Sequence, residues 1–204
     1  MLALICGASL FSFYSLVKSN DVKFRWSMAT GYVGLALLGA TLATGALNVL
    51  RNRRNSVSTD LRRDIGIWCG IISLAHVVIG LQVHMGNMLL YFFREVGETK
   101  RLVLRSDLFG FANYTGLIAA LVIALLLALS NDASLRLLGS RRWKFLQRWN
   151  YAAIFLVVLH SLGYQITENR QLPYLFLFSV IVGAVLIIQF LGFRRQKRKS
   201  EGMS

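Results

Sequence analysis

The sequence has little of what a soluble domain of its size contains. Among 204 residues there are one proline, two cysteines and nine acidic residues, and charged residues make up only 16%, against about 25% in an ordinary soluble domain. Hydrophobic residues make up 55%, more than so short a chain could bury in a core of its own. These proportions exclude a disordered chain, a disulfide-rich secreted domain and a soluble nucleic-acid-binding protein as first interpretations, and they indicate a membrane protein.

Sequence motifs for common cofactors and metals are also missing. Cys6 and Cys69 lie in apolar stretches, outside any Cys-x-x-Cys pair or Cys/His spacing typical of zinc or iron–sulfur sites. They are predicted to behave as small apolar residues, and a disulfide between them is the alternative. No Gly-x-Gly-x-x-Gly loop follows a strand, so any reaction with a nicotinamide cofactor requires a partner chain.

Long apolar runs dominate the rest of the sequence. Six of them are close to or above the length that crosses a hydrocarbon core of about 30 Å, and they cover residues 2–17, 26–50, 65–83, 111–129, 149–166 and 172–193. The first has no basic segment or cleavage site of small residues, so it is interpreted as a retained span rather than a signal peptide. The predicted fold is all-α, because lipid does not tolerate unpaired backbone groups. It is a bundle of six transmembrane helices within residues 1–195, followed by a disordered basic tail at 196–204.

Basic residues are concentrated in three segments of the chain. The connection between the second and third runs, the connection between the fourth and fifth, and the tail each hold five Lys or Arg residues. By the positive-inside rule these segments are cytoplasmic, which places both termini inside. The net charge of +14 is therefore attributed to orientation in a membrane and not to nucleic-acid binding. A multi-pass protein of the bacterial inner membrane or plasma membrane, with lipid as its surroundings, is predicted.

Two of the three histidines lie inside predicted spans. His76 is eleven residues past Ile65 in the third span, and His160 is eleven residues past Trp149 in the fifth. At 1.5 Å per residue both lie about 16 Å from the inner edge, near the midplane. Two imidazoles on opposed helices are the usual axial ligands of a b-type haem in a helix bundle, and hydrogen bonding between helices is the alternative. We therefore predict one haem between the third and fifth transmembrane helices, with its iron bound by His76 and His160.

Residues near the two histidines add detail to this prediction. Gly80 and Gly163 follow them by about one turn, where the lack of a side chain would leave room for a porphyrin edge. Zinc or copper would need a third or fourth ligand, and no carboxylate lies in any predicted span. His84 is predicted at the outer surface, either as an ordinary interfacial residue or close to a propionate or a substrate.

Two segments resemble the ferric reductase-like transmembrane domain family, above all its small bacterial branch of haem-binding membrane subunits of methionine sulfoxide reductase systems. One runs from Leu138 to Tyr151, LGSRRWKFLQRWNY. It is similar to the family pattern L-G-x-x-x-W-x-x-L-H-R-L-x-Y, which has a second histidine thirteen positions after the first. The other is RRDIGIW at 62–68, which leads to His76. A weaker similarity lies at 113–116, and the resemblance as a whole covers about residues 60–165.

The resemblance implies an oxidoreductase subunit that transfers electrons through haem b and needs a partner for catalysis. The family histidine at the inner end of the fifth span is Gln147 here, so one haem is expected rather than two. Arg63 and Arg148 belong to the matching motifs and are candidate contacts for a phosphate or a propionate. The expected donor is a cytoplasmic flavoprotein carrying FMN, or a quinol or quinone couple, and the expected acceptor is a periplasmic or other extracytoplasmic oxidoreductase. The alternative function is a non-catalytic structural or regulatory subunit of a larger membrane complex, which the change at Gln147 favours.

Overall fold

The structure, a computed structural model, describes residues 1–52 and 56–201, with the backbone alone at 56–59 and 200. The described chain is mainly helical, and its one sheet has two strands. In chain order the elements are α1 Leu2–Leu16, α2 Val22–Leu50, α3 Ser56–Gly80, a short 3-10 helix Met88–Tyr91, β1 Phe93–Val96, β2 Arg101–Leu104, α4 Leu108–Ala128, α5 Asp132–Gln147, α6 Asn150–Thr167 and α7 Leu172–Glu201.

Four helices are long and apolar enough to cross a membrane. They are Val22–Leu50, Asp60–Gly80, Leu108–Ala128 and Leu172–Lys199. The predicted membrane character is supported to this extent. α1 is apolar but has only 15 residues, and α6 carries three polar side chains that lower its mean hydropathy, Asn150, His160 and Gln165. The count of six spans therefore stays a prediction.

The structure differs from the predicted organisation at two basic segments. The connection predicted as a loop between the fourth and fifth spans forms α5, which begins after Asn131, whose side chain accepts a hydrogen bond from the Ser134 N–H. Its Leu, Arg, Lys and Gln residues favour helix, and Gly139 (φ 70°) bends it. α7 likewise continues through the predicted tail to Glu201. Lys, Arg and Gln have a high helix propensity, and positive charges are favourable at the C-terminal end of a helix. The basic composition of the tail therefore does not end the helix.

Helix packing places α2, α3, α4 and α6 around one space. α3 and α6 both lie against α2 and α4, so they face each other diagonally, and α1 and α7 pack on the outside of α2. Glycines allow close approach: a Cβ on Gly39 of α2 would be 2.8 Å from Val185 of α7, and one on Gly192 would be 2.9 Å from Ala46. We call the end where α2 finishes and α3 and α6 begin the arginine-rich end.

The opposite end, here called the hairpin end, carries the β1–β2 hairpin above the ends of α3 and α6. Phe93 pairs with Leu104 in the antiparallel register. The Tyr114 hydroxyl of α4 donates to the Phe92 carbonyl at 2.6 Å. The hydroxyl of the fully buried Tyr91 donates to the Gly80 carbonyl at 2.8 Å. These two bonds attach the hairpin to α4 and to the last residue of α3.

Asp107 caps α4 at the hairpin end. Its Oδ1 accepts a hydrogen bond from the Gly110 N–H at 2.7 Å, and the Arg105 guanidinium donates to Oδ2 at 2.9 Å. The hydrogen bonds from Arg105 hold the pKa of the Asp107 carboxyl below its usual value. Asp107→Ala is therefore expected to lower the free energy of unfolding by about 1 kcal/mol at pH 7, because it removes the cap.

The sign of the pH dependence follows from the depressed pKa. The charged carboxylate stabilises the folded chain above the pKa of the unfolded chain, and this contribution is lost as the pH falls through the folded value. Unfolding in detergent should thus show a smaller difference between wild type and Asp107→Ala below about pH 4 than at pH 7. Asp107→Asn, which keeps an acceptor at the cap, should lower the free energy of unfolding by less than Asp107→Ala does. A difference that stays constant with pH would contradict the role given to the charge.

Candidate functional site: a histidine pair inside the bundle

The two histidines predicted from the sequence come together inside the bundle. His76 of α3 and His160 of α6 have ring centroids 6.2 Å apart, with the ring planes at 82°. Since α3 and α6 are diagonal neighbours, the two rings meet across the space that the four helices enclose. The distance and the position on opposed helices agree with the arrangement predicted from the spacing.

Hydrogen bonds fix the tautomer of both rings. His76 Nδ1 lies 3.0 Å from the Ser27 carbonyl oxygen, and His160 Nδ1 lies 2.8 Å from that of Ala112. Because a carbonyl only accepts, each Nδ1 carries the proton and each Nε2 keeps a lone pair. Neither Nε2 has a hydrogen-bond partner within the described residues. A ring nitrogen bonded to a backbone carbonyl is the usual support for a histidine whose other nitrogen binds a metal.

Glycines on the neighbouring helices lie against both rings. A Cβ on Gly31 of α2 would be 3.1 Å from Cε1 of His76, and a Cβ on Gly116 of α4 would overlap the His160 ring. Among the predicted clearance glycines, Gly80 lines the cavity, where a Cβ would be 4.0 Å from His76 Cε1. Gly163 instead faces α4, since its Cβ would be 2.6 Å from that of Ala112. Its placement therefore fits close packing of α6 on α4 and not porphyrin clearance.

A cavity surrounds the pair. Its empty space, including the part that is open to the outside, is about 1400 Å³. Leu35, Leu38, Ile123 and Val157 form an apolar part of the wall. Towards the hairpin end the wall becomes polar, with residues that include His84, Tyr164, Gln165 and Arg170.

The pair lies nearer the hairpin end than the predicted midplane position. α3 ends at Gly80 rather than at Val83, so His76 is four residues, or about 6 Å, from the end of its helix. His160 is seven residues, or about 10 Å, from the end of α6 at Thr167. The physical reason is the fold of the loop after α3, where the Tyr91 hydroxyl binds the Gly80 carbonyl.

The predicted arginine contacts lie at the arginine-rich end, away from the cavity. Arg63 NH1 is 2.6 Å from Asp132 Oδ1, and Arg63 is thirteen residues, or about 20 Å, from His76 along α3. Arg148 is the exposed C-cap of α5. Neither residue lines the cavity, so their placement does not fit contact with a propionate there. The buried Gln147 Nε2 has no hydrogen-bond partner in the part of the chain that the structure describes, and it is also outside the cavity wall.

A polar cluster that sequence analysis missed lies at the hairpin end of the cavity. Glu168 Oε1 is 3.5 Å from His84 Nε2, and Glu168 Oε2 is 4.0 Å from Arg170 NH2. The guanidinium of Arg170 also lies over the ring of Phe24, 4.7 Å from its centroid. Burial lowers the pKa of Arg170 from its usual value, and the charge of Glu168 opposes that shift. Sequence analysis singled out His84 alone among these residues, and Glu168 and Arg170 stood out only as a pair of charges in a short outer loop.

The donor set fits haem better than it fits a metal ion alone. Among the described residues there is no group of three or more His, Cys, Asp or Glu side chains that could hold a metal ion. Two imidazoles leave a zinc or copper site incomplete, but they complete a haem site, because the porphyrin supplies the other four nitrogens.

The cysteines take no part in this site. Cys6 and Cys69 are both free and buried, in two different apolar clusters. Cys69 lies 3.6 Å from the Gly34 carbonyl oxygen, to which its thiol donates. Both therefore occupy apolar packing positions, as the sequence predicted.

No family model matches the chain. No curated protein matches its sequence either. The resemblance of residues 60–165 to the ferric reductase-like family therefore stays a prediction, and the histidine pair itself is the main guide to function.

Proposed function

We propose that this protein is a membrane electron-transfer protein that holds one haem b between α3 and α6, with His76 and His160 as the axial ligands. The observation that carries the proposal is the pair of facing imidazoles, 6.2 Å apart, with both Nδ1 atoms bonded to backbone carbonyls. Haem supplies one-electron chemistry when it is bound. The resemblance to the ferric reductase-like family supports the same assignment.

The chain contributes ligand orientation and apolar surroundings. The Ser27 and Ala112 carbonyls accept the Nδ1 protons, which leaves both Nε2 lone pairs free and makes them better donors to iron. Gly31 and Gly116 leave room for the rings on the neighbouring helices. Apolar side chains form part of the cavity wall, and a low-polarity surrounding is one of the ways a protein adjusts a haem potential.

The surroundings of the site support a proposal for the donor and the acceptor. The exposed basic surface at the arginine-rich end favours an anionic partner such as a flavoprotein carrying FMN, and a quinol dissolved in the bilayer is the other candidate donor. The nearness of the histidine pair to the hairpin end favours an acceptor on that side, an extracytoplasmic oxidoreductase. Catalysis would then belong to the complex and not to this subunit alone, in a bacterial inner membrane or plasma membrane.

The test is a reduced-minus-oxidised absorption spectrum of the full chain, purified in mild detergent, with haem and protein quantified. We expect a low-spin b-type spectrum and about one haem per chain, because two axial imidazoles define one site. Two haems per chain would contradict the one-haem proposal. Absence of haem after expression with an ample haem supply would favour the non-catalytic subunit instead.

A further inference from the structure

The hairpin-end cluster has the chemistry of a carboxylate-binding site. The loop after α3 brings His84, and the loop after α6 brings Glu168 and Arg170, to the same end of the cavity. His84 and Arg170 line the cavity that contains the histidine pair. We infer that Arg170 and His84 bind the propionate groups of haem and thereby orient it with the propionates towards the hairpin end. This inference rests on the proposed function.

The cations of the cluster have N–H donors that are not used in short hydrogen bonds. Both contacts of Glu168, at 3.5 and 4.0 Å, are longer than the roughly 2.7–3.2 Å of a good hydrogen bond. Arg170 has five N–H donors, and none of them makes a hydrogen bond within the described residues. Its side chain is only 13% exposed. A cation with so little access to water is stabilised by an anion at close range. Glu168 is shared between His84 and Arg170 and is close to neither, so a second carboxylate could bind to both cations.

The cluster is also continuous with the proposed iron site. His84 stacks on Tyr164 with ring centroids 6.1 Å apart, and Tyr164 contacts His160 with centroids 5.0 Å apart. The Tyr164 hydroxyl donates to Asn113 Oδ1 at 2.8 Å, which holds its ring in place between the two histidines. The cations therefore belong to the same wall as a proposed ligand.

The polarity of the cavity wall indicates which edge of the haem would lie at which end of the cavity. The lining on the side away from the hairpin end includes Leu35, Leu38, Ile123 and Val157, and no described lysine or arginine lines that part. Burying a carboxylate against such a wall would be costly, because no donor is there to pair with it. The apolar edge of the porphyrin suits this wall, and its two carboxylates suit the cluster with Arg170.

The test compares haemin with haemin dimethyl ester, in which both propionates are neutral. The full chain, expressed under haem limitation and kept in detergent, is reconstituted with each porphyrin, and the two affinities are measured by absorption titration. We expect the wild type to prefer haemin. Arg170→Leu should reduce that preference by about tenfold or more, which is the effect of losing one charged hydrogen-bonded contact. It should also lower the midpoint potential, since a positive charge near the iron is removed.

Two further variants separate recognition from folding. Arg148→Leu removes an arginine outside the cavity and should leave the preference unchanged. Glu168→Gln removes the competing carboxylate, so it should raise the preference for haemin if Arg170 serves a propionate, and should leave it unchanged if Arg170 serves only its pair with Glu168. An unchanged preference in Arg170→Leu, or in Glu168→Gln, would overturn the inference while leaving the axial ligands intact. Failure of the wild type to bind either porphyrin would refute the proposed function as well.

Discussion

Replacing His76 or His160 by alanine is expected to reduce bound haem from about one per chain to near zero. Each imidazole would supply one of two axial bonds, and an alanine has no ring nitrogen to bond to the Ser27 or Ala112 carbonyl or to iron. A single remaining ligand would leave the iron open on one face and the porphyrin loosely held. Haem per chain and the reduced-minus-oxidised spectrum of the detergent-purified variants measure the loss.

His84→Ala is the comparison, since it removes a proposed propionate contact and leaves both axial ligands in place. The His84→Ala protein should keep a low-spin spectrum, because both axial ligands remain. This holds even if the loss of a propionate contact lowers its affinity for haem. Addition of imidazole to His160→Gly should restore a low-spin spectrum, since free imidazole can occupy the space of the missing ring. If His84→Ala loses haem while His160→Ala retains it, the ligand pairing is wrong.

Gly116→Ala is expected to cause the largest loss of haem among substitutions that leave the ligands themselves unchanged. A Cβ at this position of α4 would overlap the His160 ring. The ring would have to move, and its 2.8 Å bond to the Ala112 carbonyl would be broken. Overpacking of this kind costs typically about 1–3 kcal/mol, which corresponds to a loss of roughly tenfold to a hundredfold in haem affinity.

A graded series of glycine variants makes this prediction specific. Gly31→Ala would bring a Cβ to 3.1 Å from the His76 ring and should have a smaller effect, and Gly80→Ala, at 4.0 Å, a smaller one still. Gly183→Ala in α7 is the control, because nothing lies within 4 Å of its Cβ. Haem affinity and thermal unfolding are measured for all four. Equal losses in Gly116→Ala and Gly183→Ala would show that a general effect on the helices, and not contact with the ring, is responsible.

The sequence by itself indicated the membrane character, the helical class and the similar depth of the two histidines along their helices. An apolar stretch long enough to cross lipid must be helical, because only a helix pairs its own backbone groups there. Equal spacing of His76 and His160 from the starts of their apolar runs then places both rings at one level, which is a property of helix rise alone. These conclusions need only the spacing along one helix at a time.

Contacts between helices were decided by the tertiary structure. Ser27, Gly31, Ala112 and Gly116 lie on α2 and α4, more than forty residues from the rings they contact, and no local pattern distinguishes them from other small residues of a membrane helix. Gly163 was predicted to clear a porphyrin, but it faces Ala112 because the rotation of α6 is set by its packing on α4. Arg170 enters the cavity since the loop after α6 folds back, with the Arg170 N–H bonded to the Gln165 carbonyl. Spacing along the sequence specifies where a side chain lies on its own helix, whereas packing between helices decides what that side chain contacts.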